Sequence, residues 1–445
     1  MLAKMAVAIA IVLWVGLSHA PAQGAEARAR AEFSTPPMAA PAVESARAEA
    51  RRIAEQRRLV EAESGWRLLG GVTTGRINEI EGENANRRYD RLQADAGLEH
   101  PLLGARRAQQ RSIRDLKREY LRASARVGQT RQTNRIRIHR AYARYWLAQM
   151  QIRLADAWLA VVTVDIPGLK QQRGKTIRDS EVDTLLAAVN AARTDRLTAR
   201  QSRDTNRRLL ETLTGTRIAP FTATWPDLKG LCTRVTAWRR AIWTQTPSVA
   251  AAQNELALLA RTPRSGATDS IRARVRLQHS QIVEDWDEQG DETNLTVSAD
   301  MPLALTSARR QQIALHNAEK RLVQRRLEAL RQTLLADLGA ELQRLTEARL
   351  QRERATEALQ TARRRWQADQ RRIQTGIDGP GRAGMESAID WYDTARQRLA
   401  AEIRWLEARA PLEVLSTPDC HSAPPSGIPS RALQPPTIDP PEQDA

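Results

Sequence analysis

Two glycine-bearing segments carry residue types that could hold phosphate. Gly379-Pro380-Gly381-Arg382-Ala383-Gly384 satisfies the G-x-G-x-x-G spacing. A dinucleotide site also needs a strand before the glycines and a ribose-binding acid about 20 residues later. Here an arginine-rich helical pattern precedes them, so the segment reads as a glycine turn. Gly168-Leu169-Lys170-Gln171-Gln172-Arg173-Gly174-Lys175-Thr176 follows the strand-like Val161-Val162-Thr163-Val164 and nearly makes a phosphate loop. It has one residue too many between its glycines, and Pro167 interrupts the lead-in. The six histidines are scattered with no H-E-x-x-H, and no Ser or Cys sits in a recognised nucleophile context. The sequence therefore offers no catalytic, cofactor-binding or metal-binding set, and the chain reads as a non-enzyme.

Charged residues gather instead after two turns. Asp179 and Asp183 follow Gly174, while Asp378, Arg382, Glu386 and Asp390 follow Gly376. Acids in the first turn of a helix offset its dipole. The same acids, repeated around a symmetry axis, would narrow a pore through a ring of charge. These six residues are the candidate gate on the second reading, and on the first their acids are solvated helix N-terminal charges.

The elements that position these turns come in two copies. Pro41-Ala42-Val43 returns as Pro247-Ser248-Val249, Pro101-Leu102 with Ala105-Arg106-Arg107 returns as Pro302-Leu303 with Ala308-Arg309-Arg310, and Ala192-Arg193 returns as Ala395-Arg396. Several matches in one order at a nearly constant offset mark a tandem duplication. The expected organisation is a first repeat over 41–215, an inter-repeat segment over 216–246, a second repeat over 247–412, and a proline-rich tail over 413–445.

Within each copy the apolar period switches from two to about 3.6. In the first, Trp66–Arg76 and Tyr89–His100 alternate as strands around the loop Glu81–Asn86, with Leu92, Ala94, Ala96 and Leu98 on one face. In the second, Ile271–Leu277 alternates apolar residues with arginine, and Leu295–Met301 alternates apolar with polar ones. The polar stretch Glu284–Thr293 is expected to join them as a loop. Long helices follow, from Leu103 to about Leu159 and from Ser307 to Gln374. In the second, Leu327, Leu330, Leu334, Leu338, Leu342 and Leu345 trace one apolar stripe. Shorter helices are expected before each hairpin, as at Ala42–Glu63, and after each far turn, as at Val182–Leu213, with the turns at about 165–180 and 375–384. The fold class is mainly α with a small β part, a duplicated unit of hairpin and long helix.

Residues 1–22 have the layout of a secretory signal peptide, with Lys4, the apolar run Met5–Leu17 and the small residues Ala20-Pro21-Ala22. Residues 23–40 read as a flexible N-terminus. The net charge of +17 would ordinarily suggest nucleic acid. The arginines are interleaved with Glu, Asp and Gln along helices, which describes solvated faces, and export argues against a nucleic-acid partner. Cys232 and Cys420 each follow the end of a repeat, so an oxidising compartment would permit a disulfide between them as readily as two thiols. Four strands of 9–11 residues are long enough to cross an apolar layer but too few to close a barrel. A membrane location would therefore require several copies.

The paired Pro-x-Val starts, the strand-Pro-Leu-helix junctions at Pro101 and Pro302, the far turns Gly174–Asp179 and Gly376–Asp378, and the repeat end Leu209–Gly215 together resemble the TolC-type family of outer-membrane efflux and secretion channels. The resemblance spans most of the chain, and the order of the motifs is its specific part. It implies a homotrimer in the outer membrane, a twelve-stranded β-barrel continuing into a helical tunnel through the periplasm. It also implies docking to a periplasmic adaptor protein and an inner-membrane pump, with the charged turns constricting the entrance of a passive export duct. The sequence lacks the leucine-rich segment that often precedes the first helix of this family, and its hairpins are unusually rich in arginine. A soluble periplasmic coiled-coil adaptor or scaffold is the alternative reading.

Overall fold

The computed structural model describes residues 40–78, 88–172, 178–223, 231, 235–261, 271–284, 288–300, 305–375 and 382–415. The signal-peptide reading, both cysteines, Asp378 and the tail from residue 416 lie outside the described residues. In chain order the elements are α1 (Pro41–Ala62), β1 (Arg67–Asn78), β2 (Arg88–Leu102), α2 (Leu103–Gln172) and α3 (Asp179–Thr214). There follow α4 (Val235–Gln245), α5 (Pro247–Ala260), β3 (Arg272–Glu284), β4 (Glu288–Asp300), α6 (Leu305–Gln374) and α7 (Arg382–Leu415). A short helix, a hairpin, a 70-residue helix and a helix about half as long thus occur twice. Seventy residues of α-helix amount to about 105 Å of rise.

Two compact units emerge. One comprises Met1–Glu44, Thr130–Gln245 and Thr333–Ala445, and the other comprises Ser45–Gln129 and Thr246–Gln332. The first holds the main core, built from the later parts of α2 and α6 with α3 and α7. Leu154, Trp158 and Val162 follow one another at four-residue intervals along α2 and are all buried. That stripe explains a departure from the sequence reading. Val161-Val162-Thr163-Val164 is helical, and α2 runs on to Gln172 instead of ending near Leu159. The β-branched run favours strand only weakly, and burial of the stripe outweighs that preference. A phosphate loop led in by a strand is thereby removed.

Trp158 donates from Nε1 to the Ala388 carbonyl at 2.9 Å and stacks on Tyr392 at 4.8 Å, while Trp366 tilts against Trp391 at 5.0 Å. Below these rings Glu402 is fully buried, and it accepts from Arg352 at 2.9 Å and from Arg398. Arg352 and Arg409 face the Trp405 ring at 4.4 and 5.4 Å, so cation–π attraction contributes to holding these guanidinium groups inside. Gly215 ends α3 in the left-handed region, at φ 71°, and its N–H reaches the Glu211 carbonyl, a glycine C-cap. The chain then crosses α2, where Tyr145 Oη and Gln149 Nε2 both donate to the Phe221 carbonyl. A smaller cluster joins Trp238 and Ile242 of α4 to Leu338 and Leu412. That contact carries α7 through Pro411 to Leu415, beyond the expected repeat end at 412.

The second unit contains the sheet. Its strands pair antiparallel in the order β1-β2-β3-β4, leaving β1 and β4 at the edges. Strand β4 starts at Glu288, so most of the stretch expected to be a loop is paired strand. Glu292 sits opposite Ser280 and Asp291 opposite Gln281. Backbone pairing, which a polar sequence does not advertise, defines the strand there. Beside the sheet, Ile53 of α1 packs on Ala123 of α2. Glu255 of α5, 2% exposed, is held by Arg118 at 3.0 Å and Arg122 at 2.5 Å. Burial alone would raise the Glu255 carboxyl, but hydrogen bonds and charge from Arg122 and Arg118 outweigh it and hold it below its ordinary value. A side-chain carbon at Gly128 would stand 2.5 Å from the Pro247 ring, so α2 and α5 meet closely there.

Candidate functional site

Asp179 is the first residue of α3 and Asp183 lies one turn on; both are exposed. Arg178 precedes them in extended conformation without a side-chain cap, and Glu181 adds a third acid to these first turns. On α7, Glu386 and Asp390 are exposed one turn apart. Arg382 opens the same helix, so the expected turn over 375–384 is shorter than the sequence suggested. Gly384, read as part of a glycine turn, is helical and buried, and a side-chain carbon on it would come within 2.7 Å of Ile373 Cδ1.

The buried face of α7 sets which way the acids look. Ala388, Trp391, Tyr392 and Ala395 enter the core. Glu386, Asp390 and Asp393 belong to the other side of the helix. Sequence reasoning missed the residues that tie this region to α3. Asp195 accepts from Arg396 at 3.0 Å and from Tyr392 Oη at 3.4 Å. Burial and the Asp195 carboxylate push the Tyr392 phenol far up, so it stays a neutral donor. Burial also raises the Asp393 carboxyl; Arg396 opposes this, while Asp195 and Asp390 add to it. Asp390 and Asp393 thus stand within electrostatic reach of one another, and α7 is braced on Asp195 of α3 through Arg396 and Tyr392. Asp195 and Arg396 lie on helices far apart in the sequence, and only the fold pairs them.

The sheet divides its residues by chemistry. Across one face the register runs Leu68, Leu98, Leu277, Leu295, with Val72 and Ala94 further along and Val275 beside Val297 toward the helices. Across the other it runs Arg67, Glu99, Arg276, Thr296, then Gly71, Asp95, Ser280, Glu292. The apolar face is the exposed one. Leu68 is 81% exposed, Val72 73%, Leu295 70% and Val297 64%, whereas Ser280 is 2% exposed and the Glu99 side chain 12%. A sheet in water shows the reverse. The arginines of β3, Arg272, Arg274 and Arg276, fall on the polar face, while Arg76, paired with Asp90 at 2.9 Å, falls on the apolar side toward the strand tips.

That face is internally bonded. Asp95 accepts from Ser280 Oγ at 2.7 Å and from Gln93 Nε2 at 2.7 Å, and Glu99 accepts from Arg276 at 2.8 Å. Gly97 lies between them, and a side-chain carbon there would sit 2.8 Å from the Leu277 carbonyl oxygen. Among the described residues no cluster of His, Cys, Asp and Glu could hold a metal ion, and no helix is long and apolar enough to cross a membrane.

No family model matches the sequence, and the search of curated proteins found no match. Solved structures do match. The open-state MtrE outer membrane channel of Neisseria gonorrhoeae aligns with TM-score 0.68 at 14% identity, covering 87% of this chain and 88% of that one. The outer membrane protein VceC of Vibrio cholerae aligns with TM-score 0.68 at 13% identity, over 87% and 96%. CusC, described as forming a transmembrane channel, aligns with TM-score 0.70 at 11% identity, over 86% and 91%. Most of the length of each is shared, and this chain accordingly has the fold of the TolC-type outer-membrane channels.

Proposed function

We propose that the chain is the outer-membrane subunit of a tripartite efflux or type I secretion system, a passive export duct whose periplasmic entrance is closed by charged helix turns. The observation that carries this reading is the inverted sheet, with leucine and valine exposed across four strands while Glu99 and Ser280 are covered on the opposite face. Hydrocarbon on one side and water on the other would make both faces favourable. The edges β1 and β4 cannot remain unpaired in lipid, since each orphaned backbone group there costs several kcal/mol. Pairing β4 of one copy with β1 of the next satisfies them. Three copies give the twelve strands implied by the family resemblance, and the neighbouring folds are those of outer-membrane channels. Trp66, 60% exposed and tilted against His100 at 4.8 Å, suits the membrane–water boundary at the helix side of the apolar face.

In this reading Asp179, Asp183, Arg382, Glu386 and Asp390, with Asp378 between the helices, narrow the entrance. An adaptor and a pump engage that end and open it. The candidate gate is tested by conductance in planar bilayers. Asp179→Asn with Asp183→Asn, and separately Glu386→Gln with Asp390→Asn, should raise the single-channel conductance of the closed duct severalfold. Conductance unchanged in both pairs would leave these acids as ordinary helix N-terminal charges.

A further inference from the structure

The polar face of the sheet is not uniformly charged. In the rows nearest the helices it carries Arg67, Arg272, Arg274 and Arg276 against Glu99 and Asp300. Glu99 is covered, and the arginines that reach it, Arg276 at 2.8 Å and Arg274 at 3.9 Å, remain nearly half exposed. Its negative charge is therefore screened beneath two guanidinium groups. Arg67 donates from Nε to the Glu63 carbonyl, a neutral group that leaves its charge intact. About four residues further along the strands, or about 13 Å, the sign reverses. Asp95 is hydrogen-bonded by Ser280 and Gln93, and Glu292 by Asn294 at 2.7 Å, all neutral donors. The row between holds Leu69, Gly97, Gln278 and Asn294, without a charge.

We infer that these rows form two opposed charge belts, and that the arginine belt beside the helices is a binding site for anionic solutes passing along the sheet's polar face. The inference rests on the duct reading, in which symmetry repeats each belt around the lumen. A ring of arginines in a narrow, partly desolvated passage raises the local concentration of anions, and a carboxylate ring beyond it opposes their escape in that direction. Cargo bearing a carboxylate, phosphate or sulfate group would dwell at the helix side of the sheet. Cationic cargo would dwell at the Asp95 and Glu292 rows.

Reversal potentials of the full-length protein in planar bilayers, under a potassium chloride gradient at low ionic strength, test this. Arg274→Gln with Arg276→Gln should lower the chloride-to-potassium permeability ratio by about twofold or more. Arg274→Lys with Arg276→Lys should leave it at the wild-type value. Asp95→Asn with Glu292→Gln should raise the ratio, and this arm decides alone if the glutamine pair fails to insert. Unmoved reversal potentials, or arginine and acid variants shifting the same way, would overturn the belts while leaving the duct intact. A wild-type protein that inserts but never conducts would remove the duct reading and the belts with it.

Discussion

At the scale of single residues, the buried carboxylates Glu402 and Glu255 separate structural charge from exposed charge. Glu402 is fully enclosed with Arg352 and Arg398 against it, so Glu402→Gln would leave buried guanidinium charge uncompensated. Loss of one partner from such a cluster costs about 3–5 kcal/mol, and urea denaturation should show it as a lower midpoint at unchanged slope. A shift below about 0.5 kcal/mol would mean that water reaches the cluster. Glu255 governs an acid limb. Its carboxyl is held below the ordinary value by Arg118 and Arg122, so its contribution is present above the unfolded-state value of about 4.3. It is lost as pH falls through the lower folded value. Thermal melts of wild type should drop through that window, and Glu255→Gln should flatten the fall while lowering stability at neutral pH. By contrast, the exposed pair Arg58–Glu55, 2.7 Å apart with both side chains about two-thirds exposed, should be replaceable with little effect.

At the scale of elements, the sheet offers the sharper predictions because its faces differ so fully. Leu295→Arg would place a charge on the apolar face, at a cost of about 2–4 kcal/mol if that face meets lipid. Thr296→Arg, one residue away, points to the polar side. Membrane extraction should find the first variant depleted and the second near wild-type level; equal levels would deny lipid to the apolar face. Gly97→Val should block pairing of β2 with β3, since the added carbon meets the Leu277 carbonyl, a backbone atom that cannot rotate away. The heat resistance of the assembled oligomer is its readout.

The same elements show how much was legible beforehand. The leucine stripe of α6 announced a helix because burial of Leu327 and Leu338 repeats at helical spacing. The alternation of β2 announced its apolar face for the corresponding reason. The early half of β4 gave no such signal, because Glu288–Thr293 is polar on both sides and is a strand only through its partners on β3. The end of α2 was obscured by valines whose local preference the core overrides. At the candidate gate, the acids after each turn were readable, but Asp195, Tyr392 and Arg396 were not. Their association depends on α3 and α7 lying together, a relation between residues about 200 positions apart. The arginines of β3 alternate with apolar residues in the sequence, but only the register with β2 sets Arg276 opposite Glu99.

At the scale of the whole molecule, the proposed function makes one chain a third of a duct. A single copy has two open strand edges and an exposed apolar sheet face, conditions that a monomer in water tolerates poorly and that closure in a membrane removes. Gel-separated membrane fractions, followed by mass measurement of the detergent-solubilised protein, test this most directly. A trimeric duct gives a particle of three chains recovered from the outer membrane; a monodisperse monomer released with the soluble periplasmic proteins would rule it out.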